Sequence, residues 1–195
     1  MVTTISIVFQ SKFPSLKIIA EAIKDGILSD DDDICVRLIE ICADKGIIIT
    51  VNTYMGDSIL SGTCNEEEIW KADGYIFGMT TKDSSIPWSI KAIMDRSIDQ
   101  WQFQTMRGKP SSLFYCSSGS YDLVSLACVT FFAHHGIIFV PLGYTQPGIV
   151  EVEKDPHGIS PWACGTASNE QPSELEVKTA KFQGNLFARI VSKLK

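Results

Sequence analysis

The chain opens with Thr4-Ile5-Ser6-Ile7-Val8-Phe9, passes through Gln10-Ser11-Lys12-Phe13-Pro14, and changes period at Ser15-Leu16-Lys17-Ile18-Ile19-Ala20-Glu21-Ala22-Ile23. A short apolar run that ends in polar residues is the pattern of a strand buried on both faces. Beyond it Leu16, Ile19, Ala20, Ile23 and Ile27 recur every three or four residues. That spacing predicts an amphipathic helix, with Pro14 near its start and Gly26 near its end.

The same alternation continues. Ser29 to Asp33 reads as an acidic loop, Ile34 to Ile41 as a second strand and Ile47 to Val51 as a short accessory strand. Asn65 is placed to cap a short helix through Lys71, with Glu66, Glu67 and Glu68 suited to the positive end of its dipole. Tyr75 to Met79 is a third strand, and Pro87 to Arg96 starts another helix. Leu113 to Cys116 is a fourth strand after the Gly108-Lys109-Pro110 turn; Asp122 to His134 is helical, and Ile137 to Val140 is a fifth strand stopped by Pro141. Ser173 and Glu176 form a capping box, after which Leu175, Phe182, Leu186, Ile190 and Leu194 line one face of a long closing helix. Five strand–helix alternations predict a single α/β domain over residues 1–195. Its expected form is a doubly wound five-stranded parallel sheet with helices on both faces. Asn52 to Cys64 and Gly143 to Pro172 read as two long irregular stretches.

Composition sets limits on function. Of 195 residues 45% are apolar and 21% charged, which is the make-up of a chain with a sizeable core. Seventeen Lys and Arg stand against 23 Asp and Glu, a net charge of -6 with no basic run, so nucleic acid is not an expected partner. No stretch reaches the ~18 apolar residues of a membrane span, and the N-terminus lacks the pattern of a signal peptide. Six scattered cysteines without a Cys-x-x-Cys pair read as buried thiols in a reducing cytoplasm rather than as a zinc site.

In a doubly wound sheet, small anionic ligands sit beyond the carboxyl ends of the strands, at the switch in strand order. The loops that matter are therefore Gln10 to Ser15, Met79 to Pro87 and Ser117 to Tyr121.

The second half of the chain carries a more specific pattern: Tyr75-Ile76-Phe77-Gly78, then Ala133-His134-His135-Gly136, Val140-Pro141-Leu142-Gly143-Tyr144, Trp162-Ala163 with Cys164-Gly165, Gln171-Pro172-Ser173 and Phe182-Gln183-Gly184. In order and approximate spacing this resembles the WrbA-type NAD(P)H:quinone oxidoreductases, a flavodoxin-like family that binds FMN. The resemblance runs from about Ala72 to the C-terminus; the first strand and helix agree in pattern alone. It implies FMN as cofactor, NAD(P)H as co-substrate, a quinone or similar small acceptor, and a homo-tetramer or dimer with sites shared between subunits. The long loop from Gly143 to Pro172 is then expected to contribute exposed aromatic residues to the interface.

The resemblance also implies roles for particular residues. Ser11, Lys12, Phe13, Pro14, Ser15 and Leu16 fall where the family holds the FMN phosphate, using hydroxyls and backbone N–H groups at a helix N-terminus. Thr80, Thr81, Lys82 and Asp83 fall where the ribityl chain and ring bind, and Cys116, Ser117, Ser118, Gly119 and Ser120 where a Gly-rich loop borders the ring. His134 corresponds to the residue beside the flavin pyrimidine edge. Trp101, six residues after Asp95, corresponds to the tryptophan that closes the quinone pocket. Three departures stand out. Pro14 replaces a Gly and has no N–H to give, Asp83 brings a negative charge towards the ring, and the third loop keeps one Gly and is about two residues shorter. Two readings follow from these: an FMN-dependent NAD(P)H:quinone oxidoreductase performing two-electron reduction, or a non-catalytic flavodoxin-like interaction or regulatory protein that has lost FMN.

Overall fold

A computed structural model describes residues 2–10, 13–29, 33–42, 47–81, 85–117, 122–144, 146, 160–167 and 170–195, with the side chain of Ser117 excepted. Ser11, Lys12, Lys82, Asp83, Ser118, Gly119 and Ser120, together with much of the acidic loop and of the stretch from Gly143 to Pro172, lie outside the described residues.

The opening unit forms as its periodicity predicts: strand β1 (Thr3–Gln10) and helix α1 (Pro14–Ile27). Strand β2 (Ile34–Cys42) pairs parallel to β1 on one side, and strand β5 (Gly74–Thr81) pairs parallel to it on the other. The chain therefore leaves β1 in both directions, and the switch in strand order falls between β1 and β5. Strand β6 (Pro110–Ser117) extends the sheet beyond β5, so that the parallel core reads β2-β1-β5-β6.

Both sides of this core depart from the expected five parallel strands. Asn52 to Cys64 is not a loop. Strand β3 (Ile48–Met55) pairs antiparallel to β2, and strand β4 (Ser58–Thr63) pairs antiparallel to β3. The two-residue connection turns on Gly56, whose φ of +53° is a conformation that other residues adopt at a cost. At the opposite edge the fifth strand is split. Strand β7 (Ile138–Phe139) pairs with the start of β6, and strand β8 (Cys164–Thr166) pairs with its end. β7 stops short of Val140 because the Ser112 hydroxyl takes the Val140 carbonyl and Pro141 has no N–H to continue the ladder.

Helices cover both faces. On one, α1 and the closing helix α6 (Glu174–Leu194) enclose Ile5, Ile7, Ile76, Phe114 and Phe187. On the other are α2 (Glu66–Ile69), α3 (Trp88–Asp95) and α5 (Asp122–His135), over Val8, Phe77, Tyr115 and Phe132. A short helix α4 (Ile98–Gln102) leads from α3 towards β6. Asn65 caps α2 and the Ser173–Glu176 capping box opens α6, as expected.

The buried face of α6 is not the one its leucines mark. Thr179, Ala180, Gln183, Gly184, Phe187 and Val191 are buried, whereas Leu194 is 52% exposed and Leu175, Phe182, Leu186 and Ile190 are half-buried. Small residues are needed there because α1 passes too close for leucine. Gln183 is needed because its side chain accepts from the Cys164 N–H at 2.7 Å and donates to the Leu113 carbonyl at 2.7 Å, joining β8 to β6.

Candidate functional site

At the carboxyl edge of the sheet, α1 begins directly after β1. Phe13 is its N-cap, with φ −127° and ψ 133°, and offers no side-chain acceptor; Pro14 occupies the first turn. Phe13 packs against the α1–α6 core, Leu16 is fully buried, and the Leu16 N–H is spent on the Phe13 carbonyl at 3.1 Å. The backbone donors that a helix N-terminus presents to an anion are thus reduced at Pro14 and Leu16. Ser15 is 5% exposed, and its Oγ lies 3.2 Å from the Sγ of Cys116, near the end of β6. The Cys116 thiol also donates to the Ala167 carbonyl at 3.7 Å. Burial raises the Cys116 pKa, the Ser15 bond opposes that shift, and the Glu176 carboxylate reinforces it, so the group is a thiol at neutral pH.

Strand register aligns three further groups. Thr80 on β5 stands opposite Cys116 on β6, and Cys116 stands opposite Thr166 on β8. Residues paired in this way project to one face of a parallel sheet, and Cys116 puts that face towards α1. The Oγ1 atoms of Thr80 and Thr166 are buried and find no hydrogen-bond partner among the described residues. The two lie in one row at the carboxyl edge; further buried atoms without a partner among the described residues, such as Ser6 Oγ, Ser111 Oγ and Thr179 Oγ1, lie elsewhere in the fold. Thr81 is also buried here, opposite Ser117. Of the sequence-predicted residues, the fold brings together Ser15, Thr80 and Cys116; Thr81, paired with Ser117, belongs to the opposite face of the sheet. Thr166 was absent from that set; only the non-local pairing of β8 with β6 places it there.

His134 and Trp101 lie elsewhere. α5 starts beside the carboxyl end of β6 and runs back along the sheet for 14 residues, about 20 Å. It ends where the Gly108 N–H meets the Gly136 carbonyl at 2.8 Å, next to the amino end of β6. His134 is exposed at this amino edge. Trp101 on α4 is 47% exposed, close to the same edge, because Ser97, whose carbonyl receives the Trp101 N–H, bonds to His135. Within one chain neither residue reaches the carboxyl-edge site. His135 is the buried member of the pair: its Nε2 lies 3.2 Å from Ser97 Oγ, and its ring centroid is 4.3 Å from that of Phe131. Trp162 is half-buried, packing on Phe139 and donating from Nε1 to Asp122 at 3.0 Å, while Tyr144, at the start of the same stretch, is 56% exposed. Among the described residues no group of three or more His, Cys, Asp or Glu is placed to hold a metal ion, and no helix is long and apolar enough to cross a membrane.

A β2-β1-β5-β6 parallel core, flanked by helices and carrying its polar site at the carboxyl edge, defines a flavodoxin-like α/β protein. Solved structures agree: a WrbA-like flavodoxin from Agrobacterium tumefaciens superposes with a TM-score of 0.68 over 99% of both chains at 19% identity. A flavodoxin from the domain Archaea superposes at 0.63 and 15% identity, over 97% of this chain and 99% of its own. No protein-family model matches the chain. Among curated proteins it is 35% identical over 134 residues to the NAD(P)H quinone oxidoreductase PST1 of Candida albicans, covering 65% of this chain and 67% of that one. It is 34% identical over 136 residues to the quinone-oxidoreductase QR2 of Triphysaria versicolor, and that match spans 66% of each chain. The minor allergen Alt a 7 of Alternaria alternata is 28% identical over 201 residues, 99% of this chain and 98% of its own. The chain belongs to the WrbA-type, flavodoxin-like family.

Proposed function

We propose that this chain is an FMN-dependent NAD(P)H:quinone oxidoreductase. The observation that carries the reading is the buried polar row at the carboxyl edge, in a chain whose relatives include named quinone oxidoreductases. The residues present suit a flavin phosphate: Ser15 stands at the start of α1 in contact with Cys116, and Thr80 and Thr166 flank Cys116 in strand register. A bound flavin mononucleotide would supply the two-electron chemistry between NAD(P)H and a quinone. The chain's own part is to hold and orient. Ser15, Thr80 and Thr166 would donate to phosphate oxygens; Thr81 and the backbone of Ser117 would flank the ribityl chain and ring. Ser11, Lys12, Lys82, Asp83 and Ser118 to Ser120, assigned to the cofactor by resemblance, lie outside the described residues.

His134 and Trp101 can join such a site only from a second copy, so the reading includes a homo-oligomer. Ile98, Trp101 and Phe103, exposed by 60%, 47% and 70%, make α4 and its exit a suitable face for that copy. A reducing, cytoplasmic setting is consistent with six free thiols. The test is to reconstitute the purified chain with FMN and follow NAD(P)H oxidation with and without a quinone. Quinone-dependent turnover by a species well above 21.5 kDa is the expected result, and FMN-loaded chain without turnover contradicts it. Pro14 and the spent Leu16 N–H favour the second reading, a flavodoxin-like interaction protein without flavin; tight one-to-one FMN binding would exclude that reading.

A further inference from the structure

We infer that β4 is a docking edge for a second copy of this chain, joined by antiparallel pairing of the two β4 strands about a two-fold axis. The inference is independent of the flavin reading and uses a surface distinct from α4.

The sheet ends at β4: no strand among the described residues lies beyond it, and all six of its residues are exposed. The phase of the hairpin follows from one bond just past its end, where the Cys64 N–H donates to the Ile49 carbonyl at 3.1 Å. Hydrogen-bonded and non-bonded pairs alternate along an antiparallel ladder. Counted back through the register from Cys64, Gly62, Leu60 and Ser58 bond to β3, while Thr63, Ser61 and Ile59 turn their N–H and C=O groups outward. That outward row is a template for one more strand.

Exposed edges are ordinarily guarded by lysine, by proline or by an inward-pointing charge. This one has no such guard. From Ile47 to Asn65 the only charged residue is Asp57, in a chain that is 21% charged overall. Instead β4 carries Leu60 and Ile59 on opposite faces, exposed by 73% and 64%. An edge with outward bonding groups, aliphatic side chains and no charge fits a partner strand of the same character.

A copy of β4 is such a strand, and charge selects it. The chain as a whole stands at -6, so two copies repel except where they meet through uncharged segments. Centring the axis on Leu60 sets that residue against its own counterpart in a non-bonded pair, where side chains approach most closely. Ile59 of each copy then faces Ser61 of the other, and each such pair exchanges two backbone bonds. Asp57 falls opposite Thr63, with no like charge across from it. Because the same patch serves both copies, the contact closes at two. Six residues of strand pairing bury less than the roughly 800 Å² per partner of a standard interface, so the pair forms reversibly and fills as concentration rises.

Amide hydrogen exchange on the full chain, read residue by residue at low and at high micromolar concentration, tests the pairing. The Ile59 and Ser61 amides should slow about tenfold or more at the higher concentration, whereas Leu60 and Gly62, already bonded within the hairpin, should be protected at both. Two variants carry the test further. Ser61→Pro removes an outward N–H and no bond to β3, and Leu60→Lys sets like charges together at the axis. Each should halve the sedimenting mass at high concentration relative to wild type, whatever assembly forms through α4, and return the Ile59 amide to fast exchange. Protection at Gly62 reports that the hairpin of each variant stays folded. Ile59 and Ser61 amides that exchange as fast at high concentration as at low overturn the inference, even in a chain that assembles through another face. Ile59 protection that survives both substitutions would put a different segment on the edge and overturns it as well. Neither result bears on flavin binding.

Discussion

Gly26 of α1 and Gly184 of α6 mark the place where the two helices press together. A Cβ at Gly26 would lie 2.0 Å from the Lys181 carbonyl oxygen, and one at Gly184 would lie 2.1 Å from that of Ile23. On propensity alone, alanine in a helix gains about 1 kcal/mol over glycine. Here the clash is with backbone, which cannot rotate away, and the helices must separate. Gly184→Ala is therefore expected to destabilise the chain by about 2–3 kcal/mol, measured by urea denaturation. A stabilised or unchanged variant would show that the helices do not meet at this distance.

Gln183, next to that contact, has a different task. Its amide accepts from the Cys164 N–H and donates to the Leu113 carbonyl and to Ser112 Oγ. Gln183→Ala leaves buried backbone groups of β6 and β8 without partners. A loss of about 2–4 kcal/mol is expected, together with faster amide exchange at Cys164 than elsewhere in the sheet. Unchanged exchange at Cys164 would separate Gln183 from β8.

His135 gives the chain a pH dependence. Burial, with the neighbouring His134 adding to it, lowers its pKa below the usual histidine value. Ser97 Oγ donates to the Met94 carbonyl at 2.6 Å, which leaves His135 Nε2–H to donate to Ser97, and Nδ1 without a partner among the described residues. The unfolded chain binds the proton at higher pH than the folded one, so the contribution is full above about pH 6.5 and declines as the pH falls through the folded pKa. Stability measured from pH 7.5 to pH 5 should fall, and His135→Phe should flatten that part of the profile. An unaltered slope in the variant would assign the dependence to other groups.

Thiol accessibility divides the six cysteines into two sets. Cys116, Cys128 and Cys164 are buried, and burial raises all three, Cys128 to about 12; Cys35, Cys42 and Cys64 are half-buried. Alkylation of the native chain followed by mass spectrometry should modify the second set first. Early modification of Cys116 would contradict its packing beneath α1.

What the sequence made legible follows from what each residue is near. β1, α1 and the capping box at Ser173 depend on neighbours within a turn or a strand, and their signals are local. Of the β3–β4 hairpin the first half of β3 was read, as the accessory strand Ile47 to Val51; β4 was not legible because all six of its residues are exposed, so no apolar–polar alternation marks it. The apolar face of α6 was read from Leu175, Phe182, Leu186, Ile190 and Leu194, whereas the approach to α1 at Gly184 and the bonds of Gln183 select another face for burial. The site was partly legible. Ser15, Thr80, Thr81 and Cys116 were named by resemblance, but Thr166 enters through strand pairing across 50 residues of sequence. His134 and Trp101 come from the same resemblance, and a single chain keeps both at the far edge.

The central claim is that side-chain hydroxyls at the carboxyl edge grip a flavin phosphate although Pro14 has taken the place of a glycine. Titrating the purified chain into FMN while following flavin fluorescence tests it most directly. Saturation at about one FMN per chain, with riboflavin bound more weakly, is the predicted result; fluorescence that stays constant through a molar excess of protein would contradict it.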